Sequence, residues 1–113
     1  MPASREYLEH LAELLEPLGA VRTKRMFGGA GVFLDGTMFG LIFEDVLYLK
    51  ADGENRGDFE DRGLRPFTYT KKSRKEPVQL SYFEAPEELL DDGDGLCAWA
   101  GKAWQAARRA ARK

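Results

Sequence analysis

The stretch from Val21 to Ala51 constrains the fold more than any other part of the chain. Asp35-Gly36 is a hairpin signal, because a two-residue primed turn needs positive φ and this pair tolerates it. Glu44-Asp45 turns the chain a second time. Residues 21–27 alternate loosely, Val32-Phe33-Leu34 resumes the pattern, and Val46-Leu47-Tyr48-Leu49-Lys50 completes it. Residues 38–43 are apolar on both faces apart from Gly40, which predicts a central strand covered on both sides. Gly28-Gly29-Ala30-Gly31 interrupts the first two segments and is expected to form a bulge or wide turn. Tight turns join antiparallel neighbours, so this stretch predicts a four-stranded antiparallel meander.

Helical patterns flank the meander. Ser4 can act as an N-cap, and Glu6 suits the positive end of a helix dipole. Tyr7, Leu8, Leu11, Leu14, Leu15 and Leu18 then recur at helical spacing until Pro17 and Gly19 stop the helix. Asp52 is expected to cap a short second helix running through Asn55, Phe59 and Arg62 to Gly63. Residues 66–70 and 78–83 read as two further strands, with the polar stretch 71–76 as their hairpin loop. Pro86-Glu87-Glu88-Leu89-Leu90 reads as a helical turn, its proline placed where a missing N–H does no harm. Asp92 then caps a last helix with Leu96, Trp99, Ala100, Ala103, Trp104 and Ala107 on one side. No repeat or low-complexity linker divides the chain, so residues 1–113 are expected to form one domain. The order α-β-β-β-β-α-β-β-α, with helices set against an antiparallel sheet of about six strands, predicts a two-layer α+β fold.

Composition narrows the chemistry. The chain has 113 residues, 43% of them hydrophobic, which is enough for a core without staples and too many for a disordered polypeptide. Its 17 basic and 19 acidic residues give a formal charge of −2. That excludes a uniformly basic nucleic-acid coat, though not a local basic patch. One cysteine excludes an intramolecular disulfide, and a single histidine beside it argues against a zinc site. The sequence has no apolar run of ~18 residues and no basic–apolar–small leader. The expectation is a cytoplasmic protein with no cofactor and no membrane partner.

Catalytic constellations are hard to assemble from these residues. The glycine run leads into a strand and not a helix, and it lacks the lysine–serine ending of a phosphate loop. Residues 25–33 have only part of the pattern of an RNA-stacking strand, with the inner aromatic missing. His10 lies beside the apolar stripe of the first helix and Cys97 beside Leu96, so both read as surface or packing groups. Ser81 lies in a strand without a nucleophile-elbow sequence. The acids Glu84, Glu87, Glu88, Asp91, Asp92 and Asp94 fail as a calcium loop, because the twelfth loop position falls on Lys102 or Ala103. A loop starting at Asp52 fails likewise at Gly63. Catalysis is therefore not expected.

Three basic groups remain. Arg22 and Lys24, two apart, share a strand face. Lys71, Lys72, Arg74 and Lys75 occupy the hairpin tip, and Arg108, Arg109, Arg112 and Lys113 end the last helix. Dipole compensation, solvation and edge protection explain such groups individually. If Arg22, Lys24, Lys71, Lys72, Arg74, Lys75, Arg108 and Arg109 met in space, they would form a phosphate-facing patch, since counterion release rewards clustered cations.

The run Arg25-Met26-Phe27-Gly28-Gly29-Ala30-Gly31-Val32-Phe33-Leu34-Asp35-Gly36-Thr37-Met38-Phe39-Gly40-Leu41 carries a family resemblance. Leu47-Tyr48-Leu49-Lys50, Pro66-Phe67-Thr68-Tyr69, Pro77-Val78-Gln79-Leu80-Ser81-Tyr82 and Pro86 through Leu90 extend it. Together they resemble the TfoX N-terminal domain family, named for regulators of bacterial competence for DNA uptake. The resemblance spans roughly Arg22 to Trp104. It implies a small α+β domain with no known catalytic machinery and no transferable site residues. Full-length members carry a second, helical domain, for which a chain ending at Lys113 leaves no room. The expected function is a non-enzymatic regulatory or protein-interaction domain, its partner another protein. The alternative is nucleic-acid binding through the basic groups.

Overall fold

The computed structural model describes residues 4–26, 28–69 and 78–111 of the chain. Helix α1 (Arg5–Leu14) begins where Ser4 Oγ accepts a hydrogen bond from Tyr7 N at 3.2 Å, which satisfies one of the orphan donors of the first turn. A 3₁₀ turn (Glu16–Leu18) around Pro17 ends it. The chain then lays down β1 (Arg22–Met26), β2 (Gly29–Leu34), β3 (Thr37–Phe43) and β4 (Val46–Lys50). A short α2 (Arg56–Glu60) leads to β5 (Pro66–Tyr69) and β6 (Val78–Glu84), and α3 (Gly93–Ala111) closes the fold. The six strands form one antiparallel sheet in the order β1-β2-β3-β4-β6-β5. This is the α+β architecture and element order expected from the sequence.

The β2–β3 and β3–β4 turns lie in left-handed backbone space. Asp35 and Gly36 have φ of 51° and 79°, as the hairpin reading requires. Glu44 and Asp45 also take positive φ, 52° and 57°. The Asp45 carboxylate compensates part of that cost by accepting a hydrogen bond from Ser4 N at 2.8 Å, which ties this turn to the start of α1.

The register sorts the sheet into two faces. Ala30 stands opposite Ile42, Ile42 opposite Leu47, Gly40 opposite Leu49, and Leu49 opposite Phe83. These residues share one face and pack against Leu11 and Leu15 and against Leu96, Ala100 and Ala103 of α3. The β2–β3 register slips between Val32 and Phe33, which leaves Phe39 over as a bulge. Phe39 is fully buried. Phe59 of α2 stacks on Phe83 with its ring centroid 5.4 Å away and meets Trp99 edge-on at 5.1 Å, so α2 lies on the same face.

Polar contacts fix the helices to the sheet. Trp104 Nε1 donates to Leu34 O at 3.0 Å, and Cys97 Sγ to Leu14 O at 3.3 Å. The His10 ring Nε2 lies 2.9 Å from Leu90 O, joining α1 to the 3₁₀ turn (Glu87–Asp91). Asp92 accepts from Gly95 N at 3.0 Å and caps α3. No helix among the described residues is long and apolar enough to cross a membrane.

Three local expectations change. Gly29, Ala30 and Gly31 do not interrupt the sheet; they are the first half of β2, paired with Met26, Arg25 and Lys24. Helix α2 starts at Arg56, because residues before it form a turn in which the buried Asn55 accepts from Asp52 N and donates to Lys50 O. Strand β3 is central, but among the described residues helices cover only one of its faces, since α1, α2 and α3 all pack on the same side.

Candidate interaction surface

The face of the sheet away from the helices is apolar. Opposed pairs place Phe33 beside Met38, Leu41 beside Tyr48, and Phe43 beside Val46 on that face. All six are part-exposed, in contrast to Ile42 and Leu49, which the helices bury completely. Glycine shapes the surface. A Cβ on Gly31 would stand 2.8 Å from the Met38 sulfur, 2.9 Å from the Phe33 ring and 3.0 Å from the Met26 methyl. The bare backbone there lets these three flexible or flat side chains close over it. Phe67 adds a ring with its centroid 4.9 Å from that of Tyr48 and 5.6 Å from that of Phe43, both edge-on.

Charge on this face is graded from edge to edge. Lys24, Gly31, Leu41, Tyr48 and Glu84 stand opposite one another in a single row across five strands. Arg22 lies in the next row beside Phe33, so the two β1 cations on this face, Arg22 and Lys24, flank the apolar centre. At the far side Glu84 accepts from Arg65 N at 3.3 Å. Lys50 donates to Ser81 Oγ and lies 5.3 Å from the Tyr82 ring centre. Burial pulls the Lys50 ammonium below its ordinary range, partly offset by Asp52. Burial also pushes the phenols of Tyr48 and Tyr82 up, helped at Tyr48 by Glu84 and Glu44. Both phenols therefore stay protonated at neutral pH. Apolar area, neutral phenols and rim cations equip the face for contact.

A cavity of about 270 Å³ opens elsewhere, between α1, the β3–β4 turn and the turn before α3. Tyr7, Leu47, Pro86, Leu89 and Leu96 line it, with Asp45 and Glu87 among its carboxylates. Burial and then Asp45 push the Tyr7 phenol up to about 12. Among the described residues no group of three or more His, Cys, Asp or Glu side chains is placed to hold a metal ion.

Of the basic residues singled out in the sequence, Arg22, Lys24, Arg108 and Arg109 lie among the described residues. Arg22 and Lys24 share the helix-free face of β1, as their spacing predicts. Arg108 stacks on the Trp104 ring, its guanidinium carbon 4.9 Å from the ring centre. Arg109 forks onto both oxygens of Asp52 at 2.6 and 3.0 Å and reaches Glu54 at 3.0 Å, so it ties the end of α3 to the β4–α2 loop. Lys71, Lys72, Arg74 and Lys75 lie outside the described residues. The strands that flank them, β5 and β6, stand at the other end of the sheet from β1. Five strand spacings, roughly 24 Å, separate β1 from β5 along the sheet. The apolar face itself was not singled out in the sequence, where its Met38, Leu41 and Phe43 read as part of a strand covered on both sides.

The sequence is similar to that of known proteins. A curated relative, the DNA transformation protein TfoX1 of Aliivibrio fischeri (strain ATCC 700601 / ES114), is 33% identical over 84 residues. That match takes in 71% of this chain and 39% of the relative, so the chain spans well under half of that protein's length. The family model described as the TfoX N-terminal domain matches residues 13–107, from the last two residues of α1 to near the end of α3, and so takes in the whole sheet. The chain belongs to the TfoX N-terminal domain family.

Proposed function

We propose that this chain is a non-enzymatic interaction domain of the cytoplasm that acts through a protein partner in the regulation of competence for DNA transformation. Family membership and a relative named for DNA transformation support the pathway. The observation that carries the molecular role is the helix-free sheet face, where Phe33, Met38, Leu41, Phe43 and Tyr48 stay part-exposed beside Arg22 and Lys24. A contiguous apolar surface rimmed by polar groups is the usual mark of a protein-binding site. Methionine adapts such a surface to an imperfectly matched partner.

Deleting the gene in its native host is expected to lower transformation frequency, and re-expressing the chain to restore it. Unchanged frequency in the deletion strain contradicts the pathway. The second reading, nucleic-acid binding, draws on Arg22 and Lys24. It requires an affinity that falls steeply with salt, which a titration of a DNA duplex at two ionic strengths checks.

A further inference from the structure

We propose that the outer edge of β1 takes up an extended acidic segment of a partner protein as an added strand. This rests on the interaction-domain reading and names both the place and the chemistry of the contact. Among the described residues, strand β1 has one neighbour in the sheet, β2, and four of its five residues are exposed. An outer strand presents main-chain N–H and C=O groups on its open side, which an extended peptide can pair. Strand edges are usually guarded against such pairing by charge. Here the charge also selects the guest. Arg22 and Lys24 project to the helix-free face and Arg25 to the other.

A strand added beside β1 brings alternate side chains within about 4.5–5.5 Å of these positions, Cβ to Cβ. Carboxylates at every second residue of the guest therefore meet Arg22 and Lys24. A second copy of β1, or any basic strand, meets them with like charge and is disfavoured. The same row continues into Phe33 and Met38 through Arg22, and into Gly31 and Leu41 through Lys24. A guest at the edge thus extends the apolar face by one strand, and its non-acidic contacts can reach that surface. The edge and the face form one continuous site.

The probe is a short blocked peptide of alternating glutamate and valine, titrated into the full chain and followed by the amide resonances of residues 22–26. Binding is expected to shift those resonances, while the lysine–valine counterpart leaves them in place. Two N-methylated forms of the acidic peptide, blocked along one edge or the other, are expected to differ. One loses binding because its donors faced β1, and the other keeps it. Arg22→Glu with Lys24→Glu is expected to weaken the acidic peptide ~10-fold or more and to admit the lysine peptide, since like charges across a contact are strongly unfavourable. The proposal is overturned if the acidic peptide does not bind or if the shifts map elsewhere. It is also overturned if both N-methylated forms bind equally, which would mark simple attraction of a polyanion. In the host, a charge-reversed chain that fully supports transformation, beside a sheet-face variant that does not, removes the edge and leaves the domain reading standing. If both variants support it fully, both readings fall.

Discussion

A Cβ built on Gly29 would lie 2.1 Å from the carbonyl oxygen of Ile42, closer than any side chain can approach backbone. Strand β3 would have to move away to admit it, with the loss of ladder hydrogen bonds beside the core. Gly29→Ala is therefore expected to abolish cooperative folding, which a urea melt followed by circular dichroism checks. Ile42 is fully buried under the helices, so Ile42→Ala is expected to cost about 2–5 kcal/mol in the same melt. Leu41 is its neighbour on β3 but faces away from the helices and is part-exposed, so Leu41→Ala should cost about half as much or less. In the sequence, residues 38–43 are apolar on both faces, so the pattern does not rank Leu41 or Phe43 against Ile42. The bulge at Phe39 upsets that symmetry, because it brings two successive residues, Phe39 and Gly40, to the helix side. Nothing in an unbroken apolar run shows which residue will be the extra one.

Helix α3 is held at its far end by Arg109, whose fork onto Asp52 lowers that carboxylate to about 2 from an ordinary 3.8. A carboxyl with a depressed folded pKa stabilises the fold wherever its unfolded form is ionised, above about pH 4, and that contribution is lost as pH falls toward 2. Acid titration of the melting temperature is expected to show this loss. Asp52→Asn should lower the melting temperature at neutral pH and flatten the slope between about pH 4 and 2. At the other end of the chain, Ser4→Ala removes the α1 cap and is expected to cost about 0.5–2 kcal/mol. The elements themselves were largely legible. Ser4, Asp35-Gly36, Pro86 and Asp92 each announce a boundary through local chemistry that the structure retains. Asp52 misled for a physical reason: its carboxylate serves Glu54 N and Arg109 at once, so the loop it organises is a turn and α2 begins only at Arg56. A partner 57 residues away leaves no trace in local sequence.

Among the described residues the molecule is a sheet with three helices gathered on one side, and its open apolar face follows from that imbalance. Six strands offer two faces, while the short α2 and the helices α1 and α3 suffice for one. The sequence held the ingredients of the open face, since Met38, Leu41, Phe43 and Tyr48 all stand in strands that were read correctly. Which face stays open depended on strand order and helix placement, and those are set by long-range packing. Strand order also separated Arg22 and Lys24 from β5 and β6, a distance that charge counting along the chain could not reveal. We propose that the part-exposed apolar face carries the function. Phe33→Gln with Met38→Gln removes two apolar groups from that face while leaving the helix-covered core intact. The deciding measurement is the transformation frequency of a deletion strain expressing this double variant, with its folding verified by a melt of the purified chain. The account predicts a folded protein that fails to restore transformation; restoration to the unsubstituted level by that folded variant would contradict it.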